Sequence, residues 1–515
     1  MKRNGLPDTF SLLMAGRSLG SKPLIGRKIM WHEERLFING ELRDASNGAT
    51  FENMNPATEE VIGVSADASE SDFGEAVAAA RAAFDETDWS TNLELRLRCL
   101  GQLHEALENH VEELTAITVA EVGATQMACS SIQVVEPLKI IPFYMDVAKG
   151  YAWSTDLGVM ETLGGECQRW FEKEPVGVLA AITPWNVPTQ VNLAKIIPAL
   201  AAGCCVVLKP APDTSWTGLA LGRLIAENTD FPPGVVNVVS AADPAAGSYL
   251  TDDHRVDMIS FTGSTVTGRK VMEAASANIT KVFLELGGKS ALIVLDDVED
   301  FGMVAATAAF GMATVCGQGC ALSTRILLPR SRYDEAIDAI AAMMAAVPPG
   351  DPTDAATMMG PLISARQRDR VEGYVQSAID EGARIVCGGS RPEGMDRGFF
   401  YEPTLIADVD NSMTVAQEEI FGPVLVAIPF DDDDEAVMIA NDSIYGLSGA
   451  VFSGDEQRAL QVAKQIRTGT MSVNGGVWYG ADVPFGGFKQ SGIGREMGTA
   501  GFEEHLETKS YSKPV

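Results

Sequence analysis

The sequence has little histidine and little positive charge. Only five histidines occur in 515 residues, and neither a His-x-x-x-His nor a Cys-x-x-Cys pair is present, so the usual ligand spacings of a zinc site are missing and no metal is expected. Against 70 acidic side chains stand 39 Lys and Arg, a formal net charge of -31. A surface this acidic repels phosphate backbones and anionic headgroups, which leaves nucleic acid and membrane as unexpected partners. Eight cysteines, two of them adjacent at Cys204 and Cys205, show no repeated spacing. That excludes a disulfide framework and points to a reducing compartment, the cytoplasm. No stretch reaches the roughly 20 apolar residues that span a bilayer. The acidic run 431–434 lacks the spaced ligands of a calcium loop and reads as a solvated helix start.

What is present describes a globular enzyme. Hydrophobic residues make up 46% and charged residues 21%, and the length allows two or three domains. The first 29 residues are set apart by composition: Lys2, Arg3, Arg17, Lys22, Arg27 and Lys28 against the single acid Asp8. A secretory signal needs a longer apolar stretch than 10–16, whereas an organelle transit peptide is basic and serine-containing in this way. Met30 is an alternative start, and a dispensable extension ranks above targeting.

From about Val176, short apolar β-branched runs at 178–183, 204–208, 235–239 and 258–261 alternate with helix-length segments such as 215–228, the latter closed by the Phe-Pro-Pro-Gly turn at 231–234. This pattern predicts a parallel sheet flanked by helices. A second series follows: strands at 291–295 and 326–328, helices at 301–313 and 333–346, and strands at 424–428 and 450–452. The fold class is therefore α/β with two such units. The junction Leu286-Gly287-Gly288-Lys289 between them is the expected hinge and cleft, where active sites tend to lie. Residues 152–170 interrupt the chain as an inserted hairpin, either an oligomer contact or a surface ornament.

Four short motifs can carry chemistry. In Gly317-Gln318-Gly319-Cys320, backbone N–H groups near a thiol can stabilise a thiolate and bind an oxyanion, although Cys316 competes on the same loop and packing cysteines are common in small-residue settings. Glu285 ends the apolar run Val282-Phe283-Leu284, where desolvation raises a carboxyl pKa into the range of a general base. Its plainer reading is a partner for Lys289 or a helix start. The turn Thr183-Pro184-Trp185-Asn186-Val187-Pro188 fixes one amide that suits an oxyanion donor, or is simply a structural Asn. Phe261-Thr262-Gly263-Ser264-Thr265 follows a strand and opens a helix, offering free N–H groups to a diphosphate, but it matches neither the Gly-x-Gly-x-x-Gly fingerprint nor a nucleoside triphosphate loop.

Taken together and in this order, these motifs resemble the NAD(P)-dependent aldehyde dehydrogenase superfamily. Lys209-Pro210, Glu285 to Lys289, Glu418-Glu419-Ile420-Phe421-Gly422-Pro423-Val424 and Pro484-Phe485-Gly486-Gly487-Phe488-Lys489-Gln490-Ser491-Gly492 extend the match to nearly everything from Leu36 to Glu507. The resemblance implies an aldehyde dehydrogenase-like fold: a Rossmann-like cofactor domain over 30–151 and 173–286, an α/β catalytic domain over 287–493, and oligomerisation segments at 152–172 and 494–515. It also implies a homodimer or homotetramer that oxidises a small-molecule aldehyde. By the same resemblance Cys320 is the nucleophile, Glu285 the base, and Asn186 with the Cys320 N–H the oxyanion hole, with Lys195 close by. Lys209, Gly263, Ser264 and Glu419 would hold the dinucleotide, and Thr183, Pro184, Trp185, Leu286 and Phe421 would line its cleft.

Two departures from the family pattern matter. Pro212 stands where many NAD-using members carry a glutamate that binds the ribose 2′-OH. NAD is expected, because no arginine follows Lys209 to clamp a 2′-phosphate, and NADP stays open. Small residues at Val187, Val191 and Ala194, with Trp478 and Tyr479 at the mouth, predict a roomy apolar pocket for a medium to large aliphatic, terpenoid or aromatic aldehyde. Readings from other classes are a binding protein that keeps the fold without turnover and a cofactor-independent thiol esterase using Cys320.

Overall fold

The computed structural model describes residues 35–515; the expectation for residues 1–29 lies outside the described residues. Two sheets organise the chain. The first has eight strands, and its inner five, Lys281–Glu285, Met258–Thr262, Val178–Ile182, Cys205–Lys209 and Val236–Val238, run parallel in that spatial order. These are the β-branched apolar runs of the sequence, buried on both faces as parallel strands must be. Antiparallel strands at Leu36–Ile38 and Gly492–Ile493 border them.

Strand order reverses at Val178–Ile182. From there the chain moves to Cys205–Lys209 and Val236–Val238 on one side, then returns to Met258–Thr262 and Lys281–Glu285 on the other. Ligands of open α/β sheets bind beyond the carboxyl ends of the strands at such a switch point. The turn bearing Asn186 and the turn bearing Ser264 both emerge there.

The helix Pro188–Ala202 connects the first pair of these strands and is buried along its whole length. Pro188 starts it, where a missing N–H costs nothing, and Gly203 ends it at φ +108. The helix Ser215–Asn228 forms as the sequence predicts.

The second sheet has seven strands, in the order Arg384–Cys387, Thr404–Ala407, Val424–Phe430, Arg325–Pro329, Ala291–Val294, Gly449–Phe452 and Ser472–Val473, all parallel except the first pair. Its core packs against the helices Gly302–Ala313 and Tyr333–Met344. Residues 286–290 link the two sheets. The acidic run is a helix start: the Asp432 side chain caps Asp433–Asn441.

The interruption near residue 152 is a hairpin, Ser154–Thr162 with Gly165–Pro175, and Leu506–Pro514 pairs along its second strand from Leu506↔Pro175 to Pro514↔Cys167. Among the described residues no helix is long and apolar enough to cross a membrane.

Candidate functional site

The site assembles from loops of both sheets. After the strand Val178–Ile182, the Thr183 hydroxyl donates to Asn192 Oδ1 at 2.7 Å and its N–H to the Lys209 carbonyl at 3.1 Å, which fixes the turn. Asn186 is buried at its tip. Its Nδ2 donates to the Gln318 carbonyl at 2.8 Å, and its own carbonyl accepts from Gln133 Nε2 at 2.7 Å.

The loop leading to Cys320 is strained. Val315, Cys316 and Gly317 have φ of 47, 53 and 67, a left-handed run that is costly for a β-branched residue. Gln318 clamps it, donating from its backbone N–H and its Nε2 to the Val315 carbonyl at 3.0 Å each and accepting from the Ile363 N–H at 3.0 Å.

The same geometry separates the two cysteines. Cys316 is sunk in the apolar core of the second sheet, and burial pushes its thiol well up. Cys320 is only half-buried. Its thiol also stands well above its ordinary value, by desolvation and then by the charges of Glu285 and Glu419; the N–H groups of Ala321 and Cys320 offset this only in part. The thiolate stabilisation expected of this loop is offset by that burial and by those charges.

Glu285 ends the strand Lys281–Glu285, buried, with neither carboxylate oxygen hydrogen-bonded. Desolvation, reinforced by Glu496, raises its pKa well above the carboxylate range, while Lys195 and Arg495 pull the other way. The plainer reading does not hold: Lys289 is buried with its Nζ likewise unpaired, and burial lowers it to about 7.

Lys195, deep in the helix Pro188–Ala202, donates to Ser260 Oγ at 3.0 Å and to Glu496 Oε1 at 3.2 Å. Glu496 had no motif to mark it. It falls in the segment assigned by sequence to oligomerisation, so a boundary at 494 cuts through the site.

The cleft also holds groups suited to a dinucleotide. Lys209 is 2% exposed at its strand end, and desolvation lowers it to about 8 against the opposing charge of Asp243. Glu419 accepts from the Gly288 N–H at 2.9 Å, and burial raises it to about 7. Phe421, at φ +63, meets the Trp185 ring edge-on at 5.3 Å. Gln367 Nε2 donates to the Phe421 carbonyl at 2.7 Å and Arg370 to the Glu419 carbonyl at 2.6 Å, holding this loop. Leu286 packs on Gly268, where a methyl group would collide with it. Pro184 stands beside Trp185, both half-buried.

One expectation needs correction here. The Gly263 N–H is spent on the Glu285 carbonyl at 3.0 Å, and Ser264 caps the helix Thr265–Ser276 by accepting from Thr267. The turn thus offers fewer free donors than its sequence suggests.

Two close approaches bind the loops together. A methyl group on Gly288 would overlap the Cys320 carbonyl, and one on Gly317 would overlap the Gly422 carbonyl. Near Tyr479 opens a cavity of about 330 Å³. Of the five pocket residues expected from sequence, only Tyr479 borders it. Val191 and Ala194 are buried in the helix, Val187 is half-buried, and Trp478 stacks on Phe485 at 5.5 Å. The wall instead includes Gln190, Glu136, Lys139 and Asp482, side chains that no local pattern marks as lining a pocket.

A half-buried thiol, a buried unpaired carboxylate and a fixed amide thus lie on the loops between the two α/β sheets. The aldehyde dehydrogenase family model matches residues 43–511, and the chain belongs to that family. It is 40% identical to a 3-succinoylsemialdehyde-pyridine dehydrogenase of Pseudomonas sp over 92% of this chain and 97% of that protein. A Mycobacterium tuberculosis aldehyde dehydrogenase solved with NAD+ superposes with a TM-score of 0.88 at 42% identity, covering 93% of this chain and 98% of that one. A cysteine-to-alanine mutant of Pseudomonas syringae aldehyde dehydrogenase C, solved with NAD+ and octanal, gives 0.88 at 38% identity, over 93% and 96%. The chain is an aldehyde oxidoreductase of this family.

Proposed function

We propose that the chain oxidises a medium to large aldehyde to its carboxylic acid with NAD, using Cys320 as nucleophile and Glu285 as base. The observation that carries this reading is the Glu285 carboxylate, buried, unpaired and close enough to Cys320 for its charge to be felt there. Burial without a partner costs several kcal/mol, and such a group fits a role completed only when substrate and water arrive.

The cleft residues fit the dinucleotide found in the relatives. Lys209 and Glu419, both buried ionisable groups, suit the hydroxyls of the two riboses, the first turn of Thr265–Ser276 suits the diphosphate, and the Trp185–Phe421 pair suits a flat ring. When bound, NAD supplies the hydride acceptor.

Cys320 Sγ, its proton given up to solvent, attacks the aldehyde carbon, and the new C–S bond turns the carbonyl oxygen into an oxyanion. Asn186 Nδ2 has one N–H left for that oxygen after its bond to Gln318, and the Cys320 N–H supplies the second donor. Once oxidation has left a thioester, Glu285 takes a proton from water, the hydroxide adds to the acyl carbon, and the C–S bond breaks to return the sulfur. Lys195 and Glu496 hold charge beside Glu285 and bias its proton.

A division into a cofactor domain, 30–151 with 173–286, and a catalytic domain, 287–493, is supported by the two sheets except at Gly492–Ile493, which borders the first sheet. Homo-oligomer formation through the three-stranded sheet is supported by Leu157, Val159, Met160 and Leu163, all at least half exposed on its hairpin. The test of function is NADH absorbance with medium-length aldehydes beside a Cys320→Ala control. Signal confined to the native protein supports the reading, and its absence with every aldehyde overturns it.

A further inference from the structure

Gln190 stands out among the polar residues of the helix Pro188–Ala202. It is 7% exposed, its amide makes no hydrogen bond within the described protein, and it borders the 330 Å³ cavity. Thr189 and Asn192, its neighbours on the same helix, bury their unpaired atoms completely. The Gln190 amide is therefore aimed into space that a ligand would fill, and burying it against a plain alkyl chain would leave both of its polar ends unsatisfied.

The wall of the cavity joins residues that neighbour the reaction centre to charged ones. At one end Met497 adjoins Glu496, the partner of Lys195, and the Tyr479 hydroxyl is within electrostatic range of Cys320 and of Glu136 alike. At the other end the charges do not balance. Lys139 Nζ is held by both Glu136 oxygens, at 2.8 and 2.7 Å, which cancels one positive against one negative charge. Asp482 is exposed and makes no ion pair among the described residues. The mouth thus carries one uncompensated negative charge, in a chain whose net charge of -31 already concentrates cations around it. Phe143 and Tyr479 add aromatic faces, which also favour a cation.

We infer that the substrate is an aldehyde whose apolar chain ends in a protonated amine, with Gln190 Oε1 accepting from the ammonium and Asp482 supplying the opposite charge. This rests on the oxidation of aldehydes at Cys320 and narrows its substrate class. The apolar part of the wall, Ile140, Phe143 and Met497, covers the chain, so this substrate keeps an apolar middle and carries its charge at the far end. A carboxylate in that place would face Asp482.

The test compares three aldehydes of matched length: 4-(dimethylamino)butanal, its uncharged isostere 5-methylhexanal, and the anionic 6-oxohexanoate. With the full-length protein and NAD, kcat/KM for the amine exceeds that for 5-methylhexanal at least tenfold, as expected of a hydrogen bond to a charged group, and 6-oxohexanoate is the poorest. In Gln190→Met the amine loses about tenfold while 5-methylhexanal improves; in Asp482→Asn the amine advantage shrinks and becomes less dependent on salt. Amine and isostere within twofold of one another, or an equal fall of both in Gln190→Met, overturns the inference, as does a preference for 6-oxohexanoate, which would make Lys139 the recognising charge. NADH formation from any one of the three keeps the oxidation reading alive when the preference fails. Silence with all three overturns both.

Discussion

The side-chain amide of Asn186 donates to the main-chain carbonyl of Gln318 at 2.8 Å. A carbonyl oxygen accepts only from the nitrogen end, so this bond decides which way the amide is turned and leaves its second N–H for an oxyanion. Gln133 holds the other side of the same residue through the Asn186 carbonyl.

Gln133→Leu should therefore act on catalysis without touching substrate. It leaves a buried carbonyl unpaired and lets the donor drift, and misplacement of about 1 Å costs on the order of 100-fold. The expected result is a kcat lowered about 10- to 100-fold with the KM for NAD unchanged, against about 100- to 1,000-fold for Asn186→Ala. An unaltered kcat in Gln133→Leu would count against the clamp.

Glu285→Gln should separate the two halves of the reaction. Acyl-enzyme formation by Cys320 continues, while thioester hydrolysis loses its base, typically a factor of about 100 to 10,000. Rapid mixing should show up to one NADH per site followed by almost no turnover. Equal loss of burst and steady state would remove Glu285 from the hydrolytic step.

The same residue sets a pH dependence. Its pKa is raised, so the base form is scarce near the ordinary carboxylate range and fills in as pH rises. Steady-state kcat should climb with pH, and Glu496→Gln, which removes the second-largest cause of the shift, should move that limb to lower pH. A limb that stays in place in Glu496→Gln would contradict the coupling.

His505 makes a stability prediction. It is buried, its Nδ1 bonded to the Gly501 carbonyl at 2.9 Å and its Nε2 unpaired, and desolvation lowers it to about 3. The unfolded chain takes up a proton near pH 6.5 and the folded one does not. Stability from this group is thus complete above pH 6.5 and falls by about 1.4 kcal/mol per pH unit below it, toward pH 3. Thermal melts from pH 7 to 5 should flatten in His505→Gln relative to the native protein; parallel curves would show that the ring titrates normally.

Much of this was readable from sequence, for identifiable reasons. Parallel strands buried on both faces need continuous β-branched apolar runs, so Val178–Ile182 and Cys205–Lys209 emerged within a residue of their observed ends. Cys320, Glu285 and Asn186 sit in short glycine- or proline-marked turns, which leave a local trace. Glu496 and Gln190 leave none. One reaches Lys195 across 301 residues, and the other looks like any polar residue in a helix until the cavity beside it is seen. The Gly263 donor was misjudged because its acceptor, Glu285, belongs to the neighbouring strand.

The close approach of Gly288 to the Cys320 carbonyl means that the loop after Glu285 and the loop bearing Cys320 are spaced by main chain against main chain. Residues such as Gln190 and Asp482 can then be exchanged without changing that spacing. A side chain at Gly288 or Gly317 would push these loops apart, whereas a change at the mouth leaves them where they are.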